Sequence, residues 1–296
     1  MQITHQLDGD DAAATIHIEG LKQNLTILHI TDSHMVVGDE RDPEASEHID
    51  RFSQLFEERT PGNVPPHEIF EQTIDNSLQG IDAAALTGDI IHFPAHAAIE
   101  KIARGVEALS VPTLYTLGNH DWHFPHLPWS DETRAAYYPR FHGLTDPNPA
   151  CQALDIGGAR LIALDNSNYQ VSAEQVDFLR AQLDGPLPCL LFVHIPIWIE
   201  SLAPAVIEQW QAPIMMATQD GWTDEQRERW KVPNNRDSTE ACLALLKDGP
   251  CDNLAGIFCG HVHFPHIDAF RPGRYQYVTK PGFAGGYRLI HLKPTS

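Results

Sequence analysis

The chain has 296 residues, of which 42% are apolar and 20% charged. That balance suits a folded α/β protein with a large core and argues against a disordered chain. Forty acidic residues against 20 basic ones give a formal charge of −20. Such a surface repels nucleic acid and anionic lipid, which are bound through Lys and Arg contacts to phosphate. The N-terminus shows neither a basic segment nor an apolar stretch of signal-peptide type, and no apolar run approaches the length needed to span a bilayer. The cysteines are five, Cys151, Cys189, Cys242, Cys251 and Cys259, with no CxxC spacing. An odd, unpatterned set implies no disulfide framework, and Cys151, Cys189 and Cys259 read as small core residues beside apolar runs. A reducing, cytoplasmic location is the expectation. The 17 histidines are many for this length, and imidazole is the commonest metal ligand.

In chain order, Leu25–Thr31 is a β-branched run that ends abruptly in Asp-Ser-His. Helical windows follow near Glu47–Glu58 and His67–Gln79, separated by Thr60-Pro-Gly-Asn-Val-Pro-Pro66. Ala83–Thr87 reads as a buried strand, Ala95–Leu109 as a helix and Val111–Leu117 as a strand, together one βαβ crossover. Residues 122–150 are aromatic and Pro-rich and read as a functional loop. Strands at Gln152–Ile156 and Ala159–Leu164 form a hairpin about Gly157-Gly158, and Ser172 caps a helix reaching Leu183. The Cys189–His194 strand leads into a second insertion, 195–237, carrying Trp198, Trp210, Trp222 and Trp230. Those rings are expected to anchor the insertion to the core, and Asn234-Asn235-Arg236 to form the turn into the next helix. A helix near Ser238–Lys247, a strand at Leu254–Cys259 and late strands near Gln276–Thr279 and Arg288–Leu292 complete the chain. The Gly-rich stretch Lys280–Arg288 lacks strand–GxxxxGK–helix logic and is read as a turn. With no repeat, linker or low-complexity tract, residues 1–296 are expected to form one domain with loop insertions near 122–150 and 195–237.

Five polar clusters each follow a short buried strand: Asp32-Ser33-His34, Gly88-Asp89, Gly118-Asn119-His120-Asp121, His194, and Gly260-His261-Val262-His263. Ligands of open α/β sheets bind beyond the carboxyl ends of strands, where residues distant in sequence converge. The donor set is too large for one tetrahedral zinc and sufficient for two ions sharing a carboxylate. Two divalent ions bring four positive charges against two carboxylates and a hydroxide, so the site would attract phosphate within an acidic protein. Ions about 3.5–4 Å apart suit in-line phosphoryl displacement.

The ordered set DxH, GD, GNHD, H and GHxH, spanning residues 32 to 263, resembles the calcineurin-like metallophosphoesterase superfamily, which includes purple acid phosphatases and cyclic-nucleotide phosphodiesterases. The resemblance implies a four-layer α/β/β/α sandwich of two mixed β-sheets flanked by helices. It implies one ion held by Asp32, His34, Asp89 and His263, and another held by Asp89, Asn119, His194 and His261, with Asp89 bridging. His120 would assist the leaving alkoxide while a metal-bound hydroxide attacks. Asp121 is expected in a supporting role. In purple acid phosphatases the bridging Asp is followed three residues later by an iron-ligating tyrosine; here that position is His92, a candidate for contact with substrate or with a ligand. The donor mix accepts Mn, Fe, Zn, Ni or Co and names none of them. The expected activity is hydrolysis of a small phosphomonoester or phosphodiester, a cyclic-nucleotide diesterase and a non-catalytic scaffold being the alternatives. Oligomeric state is left open.

Overall fold

A computed structural model describes residues 1–7, 11–77 and 79–295. Two strands precede the first predicted element: β1 (Ile3–Gln6) and β2 (Ala13–Ile18). Then come β3 (Leu25–Ile30), α1 (Ser46–Glu57), α2 (Pro66–Ser77), β4 (Ala83–Thr87), α3 (His96–Leu109) and β5 (Thr113–Thr116). The first insertion carries α4 (Asp131–Tyr137) and is followed by the hairpin of β6 (Cys151–Ile156) and β7 (Ala159–Leu164). Next are α5 (Ala173–Leu183), β8 (Cys189–Phe192), and the second insertion with α6 (Ala203–Trp210) and α7 (Asp224–Trp230). The chain closes with α8 (Asp237–Asp248), β9 (Leu254–Cys259), β10 (His266–Arg271), β11 (Arg274–Val278) and β12 (Arg288–Pro294).

The strands form two mixed six-stranded sheets, ordered β1-β2-β12-β3-β4-β5 and β10-β11-β9-β8-β7-β6. β3, β4 and β5 run parallel, as do β7, β8, β9 and β11. Period-two alternation sorts the side chains into layers. Ile27, Ala85 and Ile290 from one sheet meet Leu161, Phe192 and Phe258 from the other in an inter-sheet core. Leu28 and Leu86 face outward onto Phe70, Ile74 and Ile102 of α2 and α3. On the opposite face, Ile162 and Leu191 pack on Val176 and Leu179 of α5 and Leu246 of α8. The result is the expected helix–sheet–sheet–helix stack.

Local chemistry explains the helix starts. Ser172 accepts a bond from the Gln175 N–H while the Gln175 side chain returns one to the Ser172 N–H, a capping box of the kind that stabilises a first turn. All five cysteines are free; four are buried, whereas Cys151 is only half-buried because it opens the edge strand β6. Among the described residues, no helix is long and apolar enough to cross a membrane.

Candidate metal centre

The five polar clusters converge at the carboxyl ends of β3, β4, β5, β8 and β9, so the site straddles both sheets. The turns there are unusual. Asp32, His34, Asp89, His261 and His263 all have positive φ, between 44° and 69°. L-residues avoid this region, and such outliers persist only where surrounding contacts over-determine them. Those contacts are visible: the His34 N–H donates to the Asp89 carbonyl at 2.8 Å, the Met35 N–H to Ile90 at 3.0 Å and the His261 N–H to Asp32 Oδ2 at 2.9 Å. Two glycines make the close approach possible. A Cβ on Gly118 would overlap the backbone and carboxylate of Asp89, and one on Gly260 would overlap Thr31 Oγ1 and Asp32 Oδ2.

Two carboxylate-containing donor groups result: Asp32 with His34 and His263, and Asp89 with His194 and His261. In the first, His34 Nε2 and His263 Nε2 face each other at 3.1 Å, and Asp32 Oδ1 lies 3.3 Å from His263 Nε2. In the second, His194 Nε2 lies 3.2 Å from both Asp89 Oδ2 and Asn119 Oδ1. Asp89 Oδ2 is also 3.7 Å from His34 Nε2, which places this one oxygen between the groups. Its other oxygen accepts the His120 N–H at 2.8 Å.

Outer contacts orient the imidazoles. His194 Nδ1 donates to the Thr87 carbonyl at 2.9 Å, turning its Nε2 towards Asp89. His34 Nδ1 meets His92 Nδ1 at 3.0 Å, leaving Nε2 for the centre. His92 is therefore a buried partner of His34, wedged among Phe52, Phe56 and Phe93 and stacked on His120 with ring centroids 4.1 Å apart. The Asp121 carboxylate accepts the N–H groups of Asp89, Ile91 and Gly118 at 2.7–3.1 Å, clamping two of the metal-rim turns together. Burial and the neighbouring Asp89 push Asp121 up to about 8, against the pull of those donors.

One group was not singled out by the sequence reading. Asp165-Asn-Ser-Asn-Tyr169 follows β7, another buried strand ending in polar residues. Tyr169 Oη bonds His261 Nε2 at 2.9 Å, which leaves Nδ1 for the second donor group. Asn166 Oδ1 accepts the N–H groups of His194 and Ile195 at 3.2 and 3.0 Å. The expectations for the surrounding loops also find places. Trp210 donates to the Val262 carbonyl at 2.8 Å and sets its ring 5.2 Å from that of His263, an anchor for the second insertion. The Asn235–Arg236 stretch is the turn into α8, where the Arg236 N–H donates to Gln170 Oε1 at 2.9 Å. The Lys280–Arg288 turn packs on the centre, with the Phe283 N–H donating to the Asp32 carbonyl at 3.0 Å.

Electrostatics favours a cation here. Asp32 Oδ1 is buried and has no hydrogen-bond partner. Burial holds His34 and His261 well below the usual imidazole range, the neutral form that ligates metal. Burial also opposes charge on His194, yet the Asp89 carboxylate outweighs it and raises His194 to about 9. An orphaned carboxylate oxygen, paired imidazole nitrogens at 3.1 Å and a proton drawn onto His194 are what a metal-ligand set shows when positive charge is wanted between its members. The residues fit metal.

Comparison with known proteins agrees. The profile of the calcineurin-like phosphoesterase family matches residues 25–265, and the chain belongs to that family. It is 27% identical over 190 residues to a cAMP/cGMP dual specificity phosphodiesterase of Mycobacterium tuberculosis, covering 59% of this chain and 51% of that protein. The chain thus spans about half the length of that curated relative. Among solved structures it resembles a dimetal phosphatase from Danio rerio, at 13% identity and TM-score 0.52 over 88% of each chain. It also resembles a purple acid phosphatase from yellow lupin, at 12% identity and TM-score 0.54 over 92% of this chain and 46% of the other. These two likenesses establish the fold.

The Tyr169 contact carries a prediction. Tyr169→Phe removes only the hydroxyl that fixes His261, and metal affinity is expected to fall roughly 10–100-fold with the fold intact. Titration of metal-free protein with Zn or Mn measures it; unchanged affinity would refute the orienting role.

Proposed function

We propose that the protein is a metal-dependent hydrolase of phosphoric esters working on small substrates through a dinuclear centre. Asp32, His34, Asp89 and His263 would hold one ion, and Asp89, Asn119, His194 and His261 the other. The observation that carries this reading is the position of Asp89 Oδ2, 3.2 Å from His194 Nε2 and 3.7 Å from His34 Nε2, one from each donor group. Bound there, the ions supply Lewis-acid polarisation of phosphoryl oxygen and a lowered pKa for water.

The chain's own residues do the rest. Asp121 and the glycines keep the turns in register so that the donors converge. His92 holds His34 on one ring face of the site and stacks on His120, fixing the His120 imidazole over the centre. His120 lies outside both carboxylate-containing groups, clustering instead with His34 and His92, and in this reading its ring faces the substrate. Burial lowers its pKa, against the opposing pull of Asp89, and the role proposed for its ring is to bring a proton to the leaving group. It would donate that proton to the departing ester oxygen.

A second reading, hydrolysis of 3′,5′-cyclic nucleotides in particular, is supported by the mycobacterial relative. One experiment separates the readings. Metal-free protein is reloaded with Mn, Fe, Zn, Co or Ni and assayed on phosphomonoesters, linear diesters and 3′,5′-cyclic AMP. Turnover that requires metal is expected. Low turnover that is indifferent to metal across the whole panel would favour the scaffold alternative.

A further inference from the structure

A cavity of about 480 Å³ opens at the seam between the two insertions, within the size range of small-molecule sites. Its walls include Trp129 and Asp131 from the first insertion, Asn168 from the segment after β7, and Arg227, Lys231 and Arg236 from the second insertion. None of the metal-centre residues lines it; intermediate residues lead from its walls to the centre along three routes. The Trp129 ring lies 4.5 Å from that of Trp122, two residues beyond His120, and 5.1 Å from that of His123. Asn168 immediately precedes Tyr169, the partner of His261. On the far wall, Lys231 follows Trp230, whose ring meets that of Trp210, which in turn meets His263.

The walls are built and not merely adjacent. Asp131 receives bonds from Asn168 Nδ2 at 2.7 Å, Arg236 Nη2 at 2.5 Å and Arg134 Nη2 at 3.2 Å, tying three segments at one carboxylate. The Arg227 guanidinium is committed to the Pro233 carbonyl at 2.9 Å and to the face of Trp222. Lys231 differs. Its backbone sits at φ 57° as the left-handed cap of α7, with buried Val232 beside it holding the turn. Among the described residues, no hydrogen bond or ion pair engages its ammonium. Three cationic groups, Arg227, Lys231 and Arg236, thus share the walls with two acidic ones, Asp131 and Glu228; Asp131 is already paired with Arg236 and Arg134, and the exposed Lys231 is uncommitted.

We infer that this cavity receives the ester substituent of the substrate, and that the substituent carries a second anionic group, a phosphate or carboxylate, which Lys231 binds. The inference rests on the phosphoesterase reading and names its substrate class. An apolar spacer would lie along Trp129, with the distal anion meeting the Lys231 ammonium and the Arg236 edge.

The test uses two probe series on the metal-loaded protein. Alkyl phosphates are compared with α,ω-alkanediol bisphosphates of matching length for kcat/KM. Non-hydrolysable alkylphosphonates are compared with alkylene bisphosphonates by calorimetry. At the chain length that spans the two sites, the doubly charged member is expected to be preferred roughly fivefold or more in both series. Lys231→Glu should remove that preference and Lys231→Arg should keep it. Equal treatment of singly and doubly charged members, or a preference indifferent to Lys231→Glu, would overturn the inference while leaving the hydrolase reading standing. Bisphosphonate binding that depends on Lys231, without turnover of any ester, would sustain the cavity's role and count against hydrolysis.

Discussion

Asp89→Ala is expected to strip both halves of the centre at once. Its Oδ2 is the atom that faces His194 and His34 together, between the two donor groups. With the carboxylate gone, His34 and His263 retain Asp32, but the second group keeps only His194, His261 and the neutral Asn119. The shared charge is lost from each. Turnover should fall about 10³-fold or more, since the metals supply several kcal/mol of transition-state stabilisation and each 1.4 kcal/mol is tenfold. Elemental analysis after dialysis, with circular dichroism to confirm folding, reads the outcome. Asp89→Asn keeps the shape and one oxygen and should fall between wild type and the alanine variant. Two ions retained at full occupancy in Asp89→Ala would rule out a bridging carboxylate.

His120→Ala is expected to give the opposite pattern, with metal retained and turnover reduced. The imidazole stacks on His92 and contributes no atom to the two carboxylate-containing groups, so its removal leaves the ligands in place. A lost general acid costs roughly 10²–10⁴-fold in turnover. The size of the loss should depend on the leaving group. An alkyl ester, whose alkoxide needs a proton, should show the full effect, and a p-nitrophenyl ester, whose phenolate leaves unaided, a much smaller one. Equal losses on both esters, or loss of metal from the variant, would contradict the assigned role.

The centre of each sheet was plain in the sequence because it carries its own pattern. Ala83–Thr87 is wholly apolar but for its last residue, α3 repeats its buried residues at helical spacing, and both lie where the run lengths place them. The Val111–Leu117 strand shortens to Thr113–Thr116 and the Cys189–His194 strand ends at Phe192, so His194 stands in the turn beyond it. The edges were less legible. β1 has one buried residue in four and β10 one in six, which is too little apolar signal to announce a strand. β2 does alternate, burying Ala14, Ile16 and Ile18, but its polar His17 and Thr15 dilute the run. The short helices α4, α6 and α7 have seven or eight residues, about two turns, too few for periodicity to register.

At the site, the residues that converge were legible because each cluster follows a buried strand, three of the five with a glycine at 88, 118 or 260. Tyr169 and Asn166 were missed for the converse reason: neither is a probable ligand, and their value lies in contacts across 92 and 28 residues of chain. The Asp-Asn-Ser-Asn run after β7 was the available signal, a polar cluster at one more strand end. His92 was placed near the centre by its spacing from Asp89, but its stacking on His120 belongs to the folded state alone.

The first sheet has a further consequence for how the protein is made. β12, residues 288–294, lies between β2 and β3, parallel to one and antiparallel to the other. As the ribosome releases the chain, β2 and β3 are therefore born early with a vacant lane between them, and each offers an unsatisfied edge until the last strand arrives. The Asp32 turn hangs from β3, so the ordering of that turn is tied to the arrival of residues 288–294 in the sheet.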